Sequence, residues 1–370
     1  LKQSITAGGS TGYDEGMNNL FDTVRVKEVQ FRNRIFVSPM CEYSAVDGVP
    51  NEWHLVHLGS RAVGGAALVM TEATGVEAIG RISLGDTGMY NDEQQKAWAK
   101  IVDFIKSQGA VAGMQIAHAG RKASTNLPWQ NKGKPLTAAE GAWPVVGPSA
   151  IAFDEGYPVP RELTREEIKN LVSLFQASAK RALAAGFEVV EIHAAHGYLI
   201  NEFFSPLTNT RTDEYGGGFE NRIRFLVEIV HAVKKVWPDR LPLFVRISAS
   251  DWHADSWGIE ESVKLAQVLK HAGVDVVDCS SGGVFPHVKI PTGPGYQVPF
   301  ADAIRAQANI LTAAVGEITQ PEQAQEIIAN QKADFVVLAR EMLRDPYWPR
   351  RAAKALGKEI QTPKQYSRSW

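Results

Sequence analysis

The sequence predicts a (β/α)8 barrel, the TIM-barrel class of α/β fold, formed as one domain. Three observations carry this. Eight short apolar runs alternate with amphipathic stretches along the 370 residues without a break. A helix-end, strand-start pattern recurs as Ala-Gly-Phe-Glu-Val-Val at 185–190, Ala-Gly-Val-Asp-Val-Val at 272–277 and Ala-Asp-Phe-Val-Val at 333–337. The runner-up, an open doubly wound sheet that binds dinucleotides, carries G-x-G-x-x-G after its first strand, and no such fingerprint is present.

In chain order the expected strands run from Arg34 to Pro39, Ala67 to Glu72, Val111 to Ala117, Phe187 to His193, Leu243 to Ile247, Val274 to Cys279, Ile310 to Ala314 and Phe335 to Leu338. Asn91 or Asp92 opens a helix carrying Trp98, Ile101, Val102 and Ile105, and Gly109 closes it. Thr164-x-x-Glu167 is a capping box before Ile168, Leu171, Phe175 and Ala179, with Gly186 as a left-handed cap at the far end. Thr319-x-x-Glu322 repeats the box before Ala324, Ile327 and Ile328. Residues 120–163, rich in Pro, Gly and Trp, form an excursion after the third strand, capping the barrel mouth or holding a short hairpin. Residues 1–18 are expected to be a disordered N-terminal extension and 19–370 the single barrel domain, on the polar, Gly-rich composition of 1–16.

A formal net charge of −2 with no Lys/Arg block argues against nucleic acid as partner. No apolar run reaches the ~18 residues of a membrane helix, and no secretory pattern opens the chain. Two cysteines fit a cytoplasmic location better than a disulfide scaffold, and are too few for an iron–sulfur cluster, which needs four.

On a barrel, functional residues sit just after the strands. The richest such stretch is His193-Ala-Ala-His196-Gly-Tyr198, where two imidazoles and a phenol can converge. Imidazole N–H groups can hold an anionic oxygen and a phenol can give up a proton, the parts needed to reduce a polarised double bond. The same His-x-x-His spacing occurs at zinc sites, but further ligands are not evident, and no metal is assigned. His54 and His57 share the spacing on the first helix and are read as structural. Trp53 beside them is read as packing.

The remaining strand ends give Ser-Pro-Met-Cys-x-Tyr at 38–43, Gln115-x-x-His118-x-Gly-Arg121, Asn-Thr-Arg-Thr-Asp-Glu-Tyr-Gly-Gly at 209–217, Arg340-Glu-Met-Leu-Arg-Asp-Pro346, and the terminal Gln365-Tyr-Ser-Arg368-Ser-Trp370. With the His/Tyr motif, this set resembles the Old Yellow Enzyme family of FMN-dependent ene-reductases, over nearly the whole chain from about Leu20 onward. Cys41 and the C-terminal aromatics are similar to its xenobiotic-reductase, or thermophilic-like, subclass.

The resemblance implies an FMN cofactor, NADPH or NADH as hydride donor, and α,β-unsaturated carbonyl substrates. His193 and His196 would hold the substrate's carbonyl oxygen, and Tyr198 would protonate the α-carbon. Arg246 would face the flavin pyrimidine ring and stabilise the reduced anion; the alternative is a carboxylate partner inside the barrel, since a charge in a buried strand needs one. Gln115 would bond the pyrimidine edge, or a barrel neighbour instead. Ser38, Pro39, Met40, Cys41 and Ala73 would approach the ring, and Tyr43 would line the substrate pocket. Gly316, Ala339 and Arg340 would hold the phosphate, with Ala339 standing where many relatives have Gly. Arg368 would reach a neighbouring subunit's active site in a homodimer or homotetramer. Asn209 to Gly217 is read as a hydrogen-bonded loop in which Arg211 and Asp213 can pair.

Overall fold

The computed structural model describes residues 18–370. Its strands are β1 (Val24–Val26), β2 (Val29–Phe31), β3 (Ile35–Val37), β4 (Leu68–Gly75), β5 (Val111–Ala117), β6 (Val146–Gly147), β7 (Arg161–Glu162), β8 (Val189–Ala194), β9 (Leu243–Ser248), β10 (Val276–Ser280), β11 (Leu311–Ala314) and β12 (Phe335–Leu338). Eight of them close a parallel barrel in the order β3-β4-β5-β8-β9-β10-β11-β12. These are the eight expected strands, with ends moved by at most three residues and the third and eighth matching at both ends. Helices between them cover the outside, so the barrel strands are buried on both faces and are mostly apolar, broken by a few inward polar residues such as Gln115, Glu191 and Arg246.

The N-terminal end of the barrel is plugged by aromatic rings. Phe36 stacks on Phe335 at 4.3 Å, with Phe31 at 5.0 Å and Phe244 at 6.2 Å from Phe36. Phe31 comes from the β1–β2 hairpin, which closes this end. Polar residues are thereby left to the C-terminal end, where the βα loops lie.

The caps explain the helix boundaries. Asn91 and Thr164 close capping boxes with Gln94 and Glu167 at the starts of Asp92–Ser107 and Arg165–Ala184. Gly109 and Gly186 turn left-handed just past the ends. Thr319 does not cap as expected. The helix Pro321–Ala329 begins after Gln320, with Pro321 presetting its first turn, and the Thr319 amide donates to Gln323 at 3.0 Å.

The excursion at 120–163 lies against the mouth. Arg121 donates to the carbonyls of Ile151 and Val284, and His287 meets Asp154 at 3.0 Å. Its β6 and β7 pair in parallel, not as a hairpin, because residues 148–160 carry the chain back to the start of β6 before pairing. Trp53 also departs from expectation. It is 57% exposed and donates from Nε1 to Glu42. The extension expected over residues 1–18 falls almost wholly outside the described residues; the carbonyl of Asn18 accepts from Gln325. Among the described residues no helix is long and apolar enough to cross a membrane.

Candidate active site

A pocket of about 510 Å³ opens at the C-terminal ends of the strands, within the range of cofactor sites. Ser38, Pro39, His196, Arg246, Gly316, Ala339 and Arg340 line it, so seven of the sequence-predicted residues meet there.

His193 is the penultimate residue of β8, and His196 and Tyr198 follow in the turn. His196 has φ +60° and Gly197 φ +70°, a left-handed pair that folds the second imidazole back towards the first. A Cβ on Gly197 would lie 2.1 Å from the Gly283 carbonyl oxygen, so only glycine fits that close approach. The rings stand nearly perpendicular: His193 is 5.2 Å from His196 at 87° and 5.1 Å from Tyr198 at 81°.

The electrostatics keep both imidazoles neutral. Burial, then the nearby charges of Arg246 and Lys122, hold the His193 pKa well below its ordinary value; His196 is depressed likewise, with His193 itself contributing. His193 Nδ1 accepts from the Ala195 amide at 3.2 Å, which puts its proton on Nε2. His196 Nε2 shares a 2.7 Å hydrogen bond with Ser280 Oγ. Burial pushes the Tyr198 phenol far up, so it holds its proton. Among the described residues no group of three or more His, Cys, Asp or Glu is placed to hold a metal ion.

Lys122 carried no role in the sequence reading. Its ammonium donates to the carbonyls of His196 at 2.8 Å and Gly283 at 3.0 Å, pinning the turn. It sits 4.9 Å over the Tyr198 ring and 4.6 Å over Phe153. Burial lowers its pKa to about 8. The signal was present, since Lys122 follows Arg121 at a strand end, but its contacts are to distant backbone.

Arg246 meets both of its expected fates. It lines the pocket, its Nη2 donates to Ser38 at 3.1 Å, and its Nε lies 3.3 Å from Asp278. The carboxylate is Asp278, which interrupts the apolar run of β10 and faces Arg246 in register. Gln115 donates to Glu191 at 2.8 Å, so its barrel-neighbour alternative is present as well.

The other predicted residues surround this centre. Met40 packs on the core edge. The Cys41 thiol is driven up by burial and by Asp86 and Glu72, and stays protonated. Tyr43, at φ +50°, meets Trp129 edge-on at 6.0 Å. Ala73 shares a water-sized cavity with Asp86 and Tyr198. Arg340 is mostly exposed and lies 3.5 Å from Glu317, not from Glu341. Gly316 has φ +125° and carries no side chain where the pocket narrows against Gln297. Arg211 pairs with Asp213 as expected. Arg368 does not line its own chain's pocket. The tail around it is exposed, with Trp370 over Arg350 and Tyr366 beside Tyr347.

These residues fit FMN. Arg246 lines the space with a buried guanidinium that has a single carboxylate partner, Asp278, against its Nε. Arg340 offers an exposed guanidinium fork suited to a phosphate, beside the backbone of Gly316. Ser38, Pro39 and His196 line the same space.

Comparison with known proteins agrees. Residues 19–359 match the model of the NADH:flavin oxidoreductase / NADH oxidase family. An NADPH dehydrogenase of Listeria monocytogenes serotype 4b (strain CLIP80459) is 49% identical over 356 residues, covering 96% of this chain and all of that one. An NADPH dehydrogenase of Geobacillus thermodenitrificans (strain NG80-2) is 48% identical over 353 residues, 95% of this chain and 98% of that one. Among solved structures, morphinone reductase superposes with a TM-score of 0.76 at 25% identity, covering 94% of this chain and 92% of that one. A complex of 2-naphthoyl-CoA reductase gives 0.82 at 26% identity over 92% of this chain, which spans about half (52%) of that longer protein. The chain therefore belongs to the NADH:flavin oxidoreductase / NADH oxidase family, the group that includes Old Yellow Enzyme, and is an FMN-dependent oxidoreductase served by a reduced nicotinamide dinucleotide.

Proposed function

We propose that this protein reduces the activated C=C bond of α,β-unsaturated carbonyl compounds. The observation that carries the reading is the His193–His196–Tyr198 corner: two neutral imidazoles with no carboxylate partner, beside a phenol that keeps its proton.

FMN, when bound, supplies a hydride acceptor for the nicotinamide and a hydride donor for the alkene. Ser38, Pro39, Met40, Cys41 and Ala73 would hold its ring, Gln115 and Arg246 its pyrimidine edge, and Gly316, Ala339 and Arg340 its phosphate. Hydride addition at the β-carbon sends charge to the carbonyl oxygen. The Nε2–H of His193 and the ring N–H of His196 stabilise that oxygen, and each such donor lowers the barrier by ~3 kcal/mol. The nearby charges of Arg246 and Lys122 favour the same anion. Tyr198 delivers its proton to the α-carbon; the Lys122 ammonium over its ring offsets the charge left on the phenolate. Tyr43 borders the substrate. Arg368 completes the site from a second copy of the chain, since it does not line its own pocket.

The test is anaerobic. The FMN-loaded protein is reduced with NADPH or NADH and then mixed with cyclohex-2-enone. Reoxidation with formation of the saturated ketone is expected; flavin that stays reduced, with the enone unchanged, would remove the assignment.

A further inference from the structure

Beneath the pocket lies a second cluster that the proposed reaction does not use. Glu191 on β8 and Asp278 on β10 both point into the barrel and both border one void of about 10 Å³. The other residues turned to that void include Phe36, Leu68, Met70, Ala313 and Val337, from β3, β4, β11 and β12, and none can solvate a charge. Against the two acids stands one cation, Arg246 on β9, 3.3 Å from Asp278. Gln115 on β5 is uncharged and donates to Glu191, and His193, next inward on β8, is neutral. Asp278 Oδ1 has no hydrogen-bond partner, although it is buried. Two carboxylates and one guanidinium in an apolar barrel leave one excess negative charge if both acids ionise, and burying an unpaired charge is the costlier outcome.

We propose that Glu191 and Asp278 hold a single proton between them, and that this pair follows the charge of the cofactor above Arg246. The inference rests on the reading that FMN lies against Arg246. Burial and the neighbouring carboxylate push Glu191 up to about 8, and burial raises Asp278 as well. Reduction by a hydride adds two electrons and one proton to the pocket's occupant and leaves one negative charge there. That charge raises the pKa of the pair further. Above the pH where Glu191 has ionised in the oxidised protein, reduction then draws a second proton from solvent, and a new O–H bond forms on Glu191. The nicotinamide that gives up the hydride is oxidised, and no protein group changes oxidation state.

The experiment has two arms. The first measures the midpoint potential of the FMN-loaded protein against pH, whose slope counts protons taken up per two electrons. The wild type is expected to rise from one proton towards two above about pH 8, and Glu191→Gln to stay at one throughout while retaining FMN. The second arm needs no cofactor. Infrared spectra of the apoprotein at neutral pH should show a buried protonated carboxyl that is lost in Glu191→Gln, and lost also in Asp278→Asn, where Arg246 draws Glu191 into ionisation. A wild type that stays at one proton across the alkaline range, or a spectrum unchanged by both substitutions, would overturn the proposal. If the carboxyl signal behaves as expected but Arg246→Ala leaves FMN affinity unchanged, the cofactor's placement fails and the proton pair stands.

Discussion

The His54–His57 and His193–His196 pairs share a spacing and differ in everything around it. On the helix Glu52–Val63, His54 Nδ1 accepts from the Asn51 amide and Nε2 meets Glu72 at 2.9 Å, while His57 Nε2 faces Glu42 at 3.3 Å. Each of these rings is spent on a carboxylate. At the end of β8 the rings face Ser280, each other and Tyr198, with Arg246 and Lys122 as the nearby charges. An imidazole without an acid keeps a donor for something that arrives from outside. The spacing alone says nothing of this; the partner does.

The comparison breaks most sharply under substitution. Replacing both His193 and His196 by Ala should lower kcat/KM for an enone by at least ~10³, at ~10² to 10³ per donor, with little change in melting temperature. The matching change at His54 and His57 should act the other way, leaving the site's chemistry in place and destabilising the fold. Stranding buried Glu72 is worth ~3–5 kcal/mol, read as a lower denaturant midpoint. Equal losses of activity at equal stability would erase the distinction.

Tyr198→Phe sharpens it further. The alkene half-reaction should slow ~10²–10⁴-fold, while reduction by the nicotinamide, which needs no proton from the phenol, should stay within a few-fold. Rapid mixing separates the two halves.

Lys122→Met should weaken binding of a phenolate ligand at the His193–His196 corner about tenfold, by loss of a nearby desolvated positive charge. The pH dependence follows from the sign of its shift. A lowered ammonium is charged below about 8 and neutral above it, so affinity should fall as pH rises through about 8 in the wild type and lose that limb in the variant.

The smallest effect is expected at the tail. Arg368→Ala should raise the enone KM a few-fold, and removal of the residues after Thr362 should also shift the oligomer on sedimentation.

Much of this was legible in the sequence. The eight strands could be read because a barrel strand buried on both faces is a mostly apolar run, and His193, His196 and Tyr198 could be read because they lie at and just past the end of one. Thr319 misled because a following proline sets a helix start without a side-chain cap. Trp53 misled because aromatic character does not tell which way a residue faces. Lys122, Glu191 and Asp278 were hidden for another reason. Their roles come from partners far along the chain, and Asp278 becomes intelligible only in register with Arg246 on the adjacent strand.

The most direct measurement of the central claim is titration of the FMN-loaded protein with a para-substituted phenol, followed by its absorption at long wavelength. The account predicts tight binding of the phenolate by the wild type, abolished in the His193→Ala/His196→Ala protein and retained when His54 and His57 are replaced. Binding that survives loss of the β8 pair would contradict it.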